Sequence, residues 1–254
     1  MRTPGRGWIS AAAAAFGLAC GASAQPTPGI SLSEDFDGVT APALPSRWVA
    51  TIASDEGELW RTDSVRHHSA PNAAHVGDPQ VVGDLRLDSV PFVVRTAAAQ
   101  LRFRHAHDFR IDEAIFPDDG GVLEISVNGQ PFQDIVQAGG SYVVTDNHAV
   151  LGNGHNPLDG RDAFIGKNPS FPEFNLVVVN LPPTPGIVVL RWREGTSDRT
   201  PLAEPTGWWI DTVQVCDGFA CDAVPQPAAV NVDPSGNGVW EPGEIVEVDP
   251  VYVN

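Results

Sequence analysis

From about Ser31 to Val215, apolar residues recur at every second position, and Gly, Pro, Asn or Asp interrupts the pattern about every 8 to 15 residues. A chain patterned this way makes many short strands, each with one apolar face. No segment carries the 3.6-residue period of a convincing amphipathic helix. In residues 99–109, Leu101, Phe103, His105, His107 and Phe109 share one face, and Arg102, Arg104 and Asp108 share the other. Leu123, Ile125 and Val127 alternate with Glu124 and Ser126, and Asn128-Gly129 then supplies a primed turn into residues 132–136. Residues 174–181 and 187–193 read as a pair joined across Pro182-Pro183-Thr184-Pro185-Gly186. Together with long insertions between residues 138 and 171, the pattern predicts an all-β fold, a two-sheet antiparallel jelly-roll sandwich.

The strand region divides the chain. Arg2 and Arg6 precede an Ala-rich apolar run that ends at Ala22-Ser23-Ala24, so residues 1–24 read as a secretory signal peptide. No stretch approaches the ~20 apolar residues that spanning a bilayer requires. Residues 25–30 are a Pro-containing linker, residues 31–222 the sandwich, and residues 223–254 a second linker and the start of an incomplete β-domain. The expected location is secreted, extracellular or at the cell surface.

Charge narrows the partners. The chain carries 15 Lys and Arg against 32 Asp and Glu; losing Arg2 and Arg6 leaves 13 against 32, a net charge of −19. Such a surface repels nucleic acid and concentrates cations. Cys216 and Cys221 remain after signal cleavage and are expected to close a disulfide in an oxidising compartment.

Two acidic segments bracket the strand region, Glu34-Asp35-Phe36-Asp37 at its start and Asp211 in Trp208-Trp209-Ile210-Asp211 at its end. If the first and last strands lie side by side, Glu34 or Asp35 shares a corner with Asp211, and a structural Ca²⁺ suits such oxygens. A second calcium pattern runs through Asp233, Ser235, Asn237 and Val239 to Glu244, the D-x-S-x-N-G-x5-E spacing of an oxygen-rich loop. It lacks flanking helices, and Pro242 forbids one there.

Several core and turn segments match a family pattern. Phe36-Asp37-Gly38 with Leu44-Pro45-Ser46-Arg47-Trp48, Asp84-Leu85-Arg86-Leu87-Asp88, Leu101-Arg102-Phe103-Arg104-His105, Gly120-Gly121-Val122-Leu123-Glu124 and Gly207-Trp208-Trp209-Ile210-Asp211 resemble a bacterial secreted MAM-like jelly-roll module. Such modules accompany immune-inhibitor-A-type metallopeptidases and are similar in architecture to calcium-binding carbohydrate modules. The resemblance implies an accessory, non-catalytic role. Residues 230–244 resemble the opening of repeated bacterial surface domains, with Trp240 where Leu is usual.

The remaining candidates are weighed by position. His105 and His107 point the same way from one strand, as zinc ligands do, but they continue an apolar stripe and lack a visible third ligand. Asp112, Asp118 and Asp119 are loop carboxylates that a glycosidase could use. Trp209 lies opposite core-facing Trp208 and is expected to offer an exposed stacking platform, with Trp60 second. The sequence therefore predicts a non-catalytic secreted module with structural calcium that binds glycan or protein at the cell surface. A glycosidase and a purely structural adhesin or anchor segment are the alternatives.

Overall fold

A computed structural model describes residues 29–111, 117–152, 155–198, 206–219, 221, 224–227 and 250–253. Its first strands are β1 (Gly29–Glu34), β2 (Val49–Ile52), β3 (Arg61–Asp63), β4 (Ala73–Val76), β5 (Gly83–Asp88) and β6 (Phe92–Val94). The longer β7 (Ala99–Asp108) and β8 (Gly120–Val127) follow, then β9 (Gln133–Asp134), β10 (Ser141–Val144), β11 (His148–Val150) and β12 (Asp162–Ile165). β13 (Asn175–Asn180), β14 (Gly186–Thr196) and β15 (Gly207–Asp217) complete the main body. β16 (Val224–Pro227) and β17 (Pro250–Val253) pair in a separate two-stranded sheet.

The main body is a two-sheet antiparallel sandwich. One sheet has the order β10-β13-β7-β15-β4-β3, with β1 also on β15; the other runs β11-β12-β8-β14-β5-β2, with β6 on β14 and β9 on β8. Consecutive strands change sheet repeatedly, at β4–β5, β7–β8, β13–β14 and β14–β15 among other places, which is the wiring of a jelly roll. Residues 174–181 and 187–193 are accordingly not a hairpin. Three prolines in the connection remove the N–H donors of a tight turn, and the segment arches between sheets instead.

The side chains that face inward were legible from their period. Leu101 and Phe103 on β7, Leu123 and Ile125 on β8, Leu190 and Trp192 on β14, and Trp208 and Ile210 on β15 meet in one buried cluster. Its aromatic contacts include Trp48 with Trp192 at 5.9 Å and Trp60 with Trp208 at 5.6 Å between ring centroids. Asn128 and Gly129 both take positive φ, 54° and 72°, and turn β8 into β9 as a primed hairpin requires.

The first and last strands of the sandwich do lie side by side. β1 runs antiparallel to β15 from Gly29 opposite Asp217 to Glu34 opposite Val213. The strand begins at Gly29 rather than after a linker at residue 30, because Ile30 pairs with Cys216. β15 holds β4 along residues 208–210 and β1 along 213–217, with an irregular register at Asp211 to Gln214 where one neighbour gives way to the other. Thr212, at φ 48°, makes that bend.

Gly121 is fixed by close packing. A β-carbon there would sit 2.4 Å from the Trp208 ring. We expect Gly121→Ala to destabilise the fold by about 1–3 kcal/mol through overpacking, read as a lowered denaturation midpoint with unchanged slope.

Candidate functional site

β7 presents two chemically distinct faces, and both bear on function. Its outward residues Gln100, Arg102 and Arg104 stand two apart, so the row spans about 14 Å at the usual strand rise. Asn180, Val178 and Leu176 of β13 lie opposite them on one side, and Cys216, Gln214 and Asp211 of β15 on the other. The strip therefore occupies the middle of the outer face of its sheet.

A disulfide anchors one end of the strip. Cys216 and Cys221 are joined, with Cα atoms 5.2 Å apart. Gln100 Oε1 accepts from the Cys221 amide at 3.1 Å, Gln100 Nε2 donates to Asn180 Oδ1 at 3.2 Å, and an Arg102 Nη donates to the Cys221 carbonyl at 3.4 Å. Beside this knot lies a cleft of about 450 Å³, lined by Ala97, Ala98, Gln100, Asn180, Pro183 and Phe219 among others. An amide pair and an aromatic ring thus share one cleft wall.

The arginines of the strip differ from those on the other sheet. There, Arg193 grips Asp84 at 2.7 and 2.9 Å, Arg191 grips Asp88 at 2.6 and 2.9 Å, and Arg86 and Arg161 likewise hold carboxylates. Among the described residues, no carboxylate forms an ion pair with Arg102 or Arg104. Partial burial and the neighbouring Arg102 charge lower the Arg104 pKa.

The other end of this outer face is closed by packing. Arg66 lies 4.4 Å from the ring centroids of both Phe171 and Trp209, and His75 stacks on Trp209 at 4.1 Å. Trp209 is only 4% exposed and Trp60 only 2%. Neither is the exposed platform expected from strand alternation: Trp209 does point away from the core, but side chains from outside the sheet cover it, and Trp60 packs on Trp208. His75 is buried on β4.

The inner face of β7 carries the histidine pair, and the structure supplies the third group that the sequence did not show. Asp146, in the β10–β11 connection, brings Oδ2 to 2.9 Å from His105 Nε2 and Oδ1 to 3.4 Å from His107 Nε2. Ligand atoms of the three lie within 4.8 Å of one another, close enough for a shared ion. Their partners decide the chemistry. Trp208 Nε1–H donates to His105 Nδ1 at 3.3 Å, and an indole nitrogen can only donate, so His105 carries its proton on Nε2 and gives it to Asp146. His107 shows the reverse arrangement: Nδ1 faces the Gly166 carbonyl at 2.8 Å and must donate. Only one imidazole therefore presents a lone pair where a metal would bind, and a zinc ion would have to break the Trp208 bond. The group serves as a buried polar clasp between β7 and the insertion.

Glu34, Asp35 and Asp211 each accept hydrogen bonds from nearby amides. Asp211 is buried, and its oxygens accept from the amides of His68 at 2.6 Å and Ser69 at 2.9 Å, from Ser69 Oγ at 3.1 Å and from Thr212. Glu34 accepts from the Phe36 amide at 2.8 Å and Asp35 from the Asp37 amide at 3.1 Å, each within its own turn. Asp118 and Asp119 are buried rather than solvated, and Asp119 pairs with Arg110. Asp112 and the loop carrying Asp233, Ser235, Asn237, Val239 and Glu244 lie outside the described residues.

No family model and no curated relative matches the chain. Solved structures do resemble it. The K3 cleaved adhesin domain of Lys-gingipain from Porphyromonas gingivalis W83 aligns over 76% of this chain and all of its own, at 15% identity and a TM-score of 0.47. TmCBM61, in complex with β-1,4-galactotriose, aligns over 69% of this chain and 89% of its own, at 9% identity and a TM-score of 0.39. The CBM22-1 xylan-binding domain of Paenibacillus barcinonensis Xyn10C aligns over 74% and 94%, at 11% and 0.36. Functional assignment rests on this chain's own residues.

The histidine clasp makes stability depend on pH. Burial, against the pull of Asp146, lowers His105 to about 4 from its ordinary 6.5. Between these values the unfolded chain takes up a proton that the folded one refuses. The contribution is thus present above pH 6.5 and is lost as pH falls toward 4, by about 1.4 kcal/mol per unit. Asp146, held below the usual carboxylate range despite its own burial by the bond from His105 and by the nearby His107 ring, adds a loss only at still lower pH. Denaturant melts at pH 7 and 4.5 should differ by about 2–3 kcal/mol from His105. His105→Gln, which can accept from Trp208 and donate to Asp146, should flatten that difference.

Proposed function

We propose that this chain is a non-catalytic binding module of an exported protein, of the MAM-like accessory type, and that the outer face of β7 takes an extended acidic glycan. One observation carries the reading: among the described residues, Arg102 and Arg104 stand adjacent without carboxylate partners, in a chain with more than twice as many acidic as basic residues. Two guanidinium groups so placed repel each other until an anion arrives, and their planar donors suit carboxylates bidentately. Gln100 and Asn180 extend the row of hydrogen-bonding groups, and Phe219 adds a ring at the cleft wall. The overall negative charge would repel a polyanion at long range, so recognition acts at contact distance and discriminates by geometry.

Hydrolysis has less support, because Asp118 and Asp119, two of the carboxylates that would perform it, are buried. Export is supported by the leader-like residues 1–24 and the Cys216–Cys221 disulfide.

Calorimetric titration of the full chain with oligogalacturonate and with a neutral oligosaccharide of equal length tests the assignment. We expect binding of the uronate only. Arg104→Ala should weaken it about 10- to 100-fold, the equivalent of one charge-assisted contact, with little change in melting temperature. Equal affinity for both sugars, or uronate binding indifferent to Arg102→Ala and Arg104→Ala, contradicts it.

A further inference from the structure

The cleft beside the disulfide does more than lengthen the arginine strip, because its walls ask for a different chemistry. The side chains that line it, Ala97 to Gln100, Asn180, Leu181, Pro183 and Phe219, carry no charge. Its volume of about 450 Å³ lies within the range of pockets that hold a small ligand. A ligand unit seated there is therefore neutral.

Backbone bonds fix these walls before any ligand arrives. The Gly218 amide donates to the Ala98 carbonyl at 2.8 Å, and the Leu181 amide to the Ala99 carbonyl at 2.9 Å. Asp217 holds the approach to β7 by accepting the Arg95 and Thr96 amides. Walls built this way need little ordering on binding.

Two side-chain amides set what the polar wall offers. The Cys221 backbone amide can only donate, so the Gln100 oxygen must face it and the Gln100 nitrogen faces Asn180 Oδ1. Asn180 then turns its own nitrogen to Ser141 Oγ at 3.4 Å. Each NH2 group spends one proton in this chain and, among the described residues, keeps the other for a ligand. The polar wall thus calls for an acceptor. The rest of the lining is hydrocarbon, and Ala97 and Ala98 present their methyl groups at exposed positions. Sugar hydroxyls alone would meet the donors but leave that surface without an apolar partner, whereas a bare hydrocarbon would leave the donors unpaired. A carbonyl that carries a methyl group satisfies both.

We propose that this cleft is a subsite for an N-acetylhexosamine unit, with its acetamido methyl against Ala97, Ala98 and Pro183 and its carbonyl accepting from Gln100 and Asn180. The inference rests on the reading of the β7 strip as an acidic-glycan site and narrows the ligand. Gln100 lies about 7 Å along the strand from Arg102, so a sugar in the cleft brings the carboxylate of its neighbour to the guanidinium groups. The ligand class is then a polysaccharide in which an N-acetylhexosamine adjoins a uronate.

Calorimetry on the full chain compares a hyaluronan hexasaccharide, which alternates glucuronate with N-acetylglucosamine, and a galacturonate oligomer of equal carboxylate number. We expect hyaluronan to bind about 10- to 100-fold more tightly, from one buried methyl and the added hydrogen bonds. Exchanging N-acetyl for N-formyl keeps the charge and the carbonyl, and should weaken binding about 4-fold, the worth of one buried methyl. Ala98→Leu fills the cleft from an exposed position and should erase the preference for hyaluronan; if it does not fold, Ala97→Leu is read in its place. Equal affinities for the two oligosaccharides, or a preference that survives filling the cleft, overturns the subsite and leaves the arginine strip standing. Hyaluronan binding that Ala98→Leu removes but Arg104→Ala leaves unchanged supports the subsite and overturns the strip. Absence of binding to either sugar overturns both.

Discussion

β15 is the strand on which the sandwich depends, because it alone pairs with β7, β4 and β1. Its inward side contributes Trp208, Ile210, Val213 and Val215 to the core, and its outward side contributes Trp209 and Asp211. Asp217 at its end accepts the amides of Arg95 at 2.6 Å and Thr96 at 3.0 Å, and so holds the chain entering β7. Cys216 adds the disulfide that brings Cys221 over Gln100. The outer strip, its anchoring knot and the adjoining cleft are therefore consequences of how one strand is paired at both edges.

Buried charge is handled in three ways in this protein. On the outer face of the second sheet, arginines and carboxylates alternate across β5, β14 and β8, and each shields another. Inside the first sheet, Asp146 is compensated by two imidazole rings whose remaining nitrogens are themselves bonded. At Asp211 and Asp217 backbone amides do the same work. Against these solutions the half-buried β7 guanidinium groups stand out, because no described carboxylate forms an ion pair with them.

The strand faces were readable before any coordinates because a pleated strand enforces a two-residue period on whatever is buried. The stripe from Leu101 to Phe109 and the turn at Asn128-Gly129 were placed correctly for that reason. Proximity across the sequence leaves no such trace. Asp146 lies 41 residues from His105, and only the β10–β13 and β13–β7 pairings bring it there. Alternation likewise located Trp209 outside the core but could not foresee that Arg66 and Phe171 would cover it. Arg102 and Arg104 were correctly assigned to the outward face; that no described carboxylate forms an ion pair with them depends on residues far away in the chain, such as Asp211 opposite Arg104, whose oxygens are taken by the His68 and Ser69 amides.

Native-state hydrogen exchange, followed peptide by peptide, measures the role of β15 most directly. Amides of residues 207–217 and 99–108 should exchange only through global unfolding and share one opening free energy, while those of the edge strands β3 and β10 open well below it. Faster exchange in residues 207–217 than in β3 or β10 would contradict the account, because the fold would then hold together without the strand on which its outer site is built.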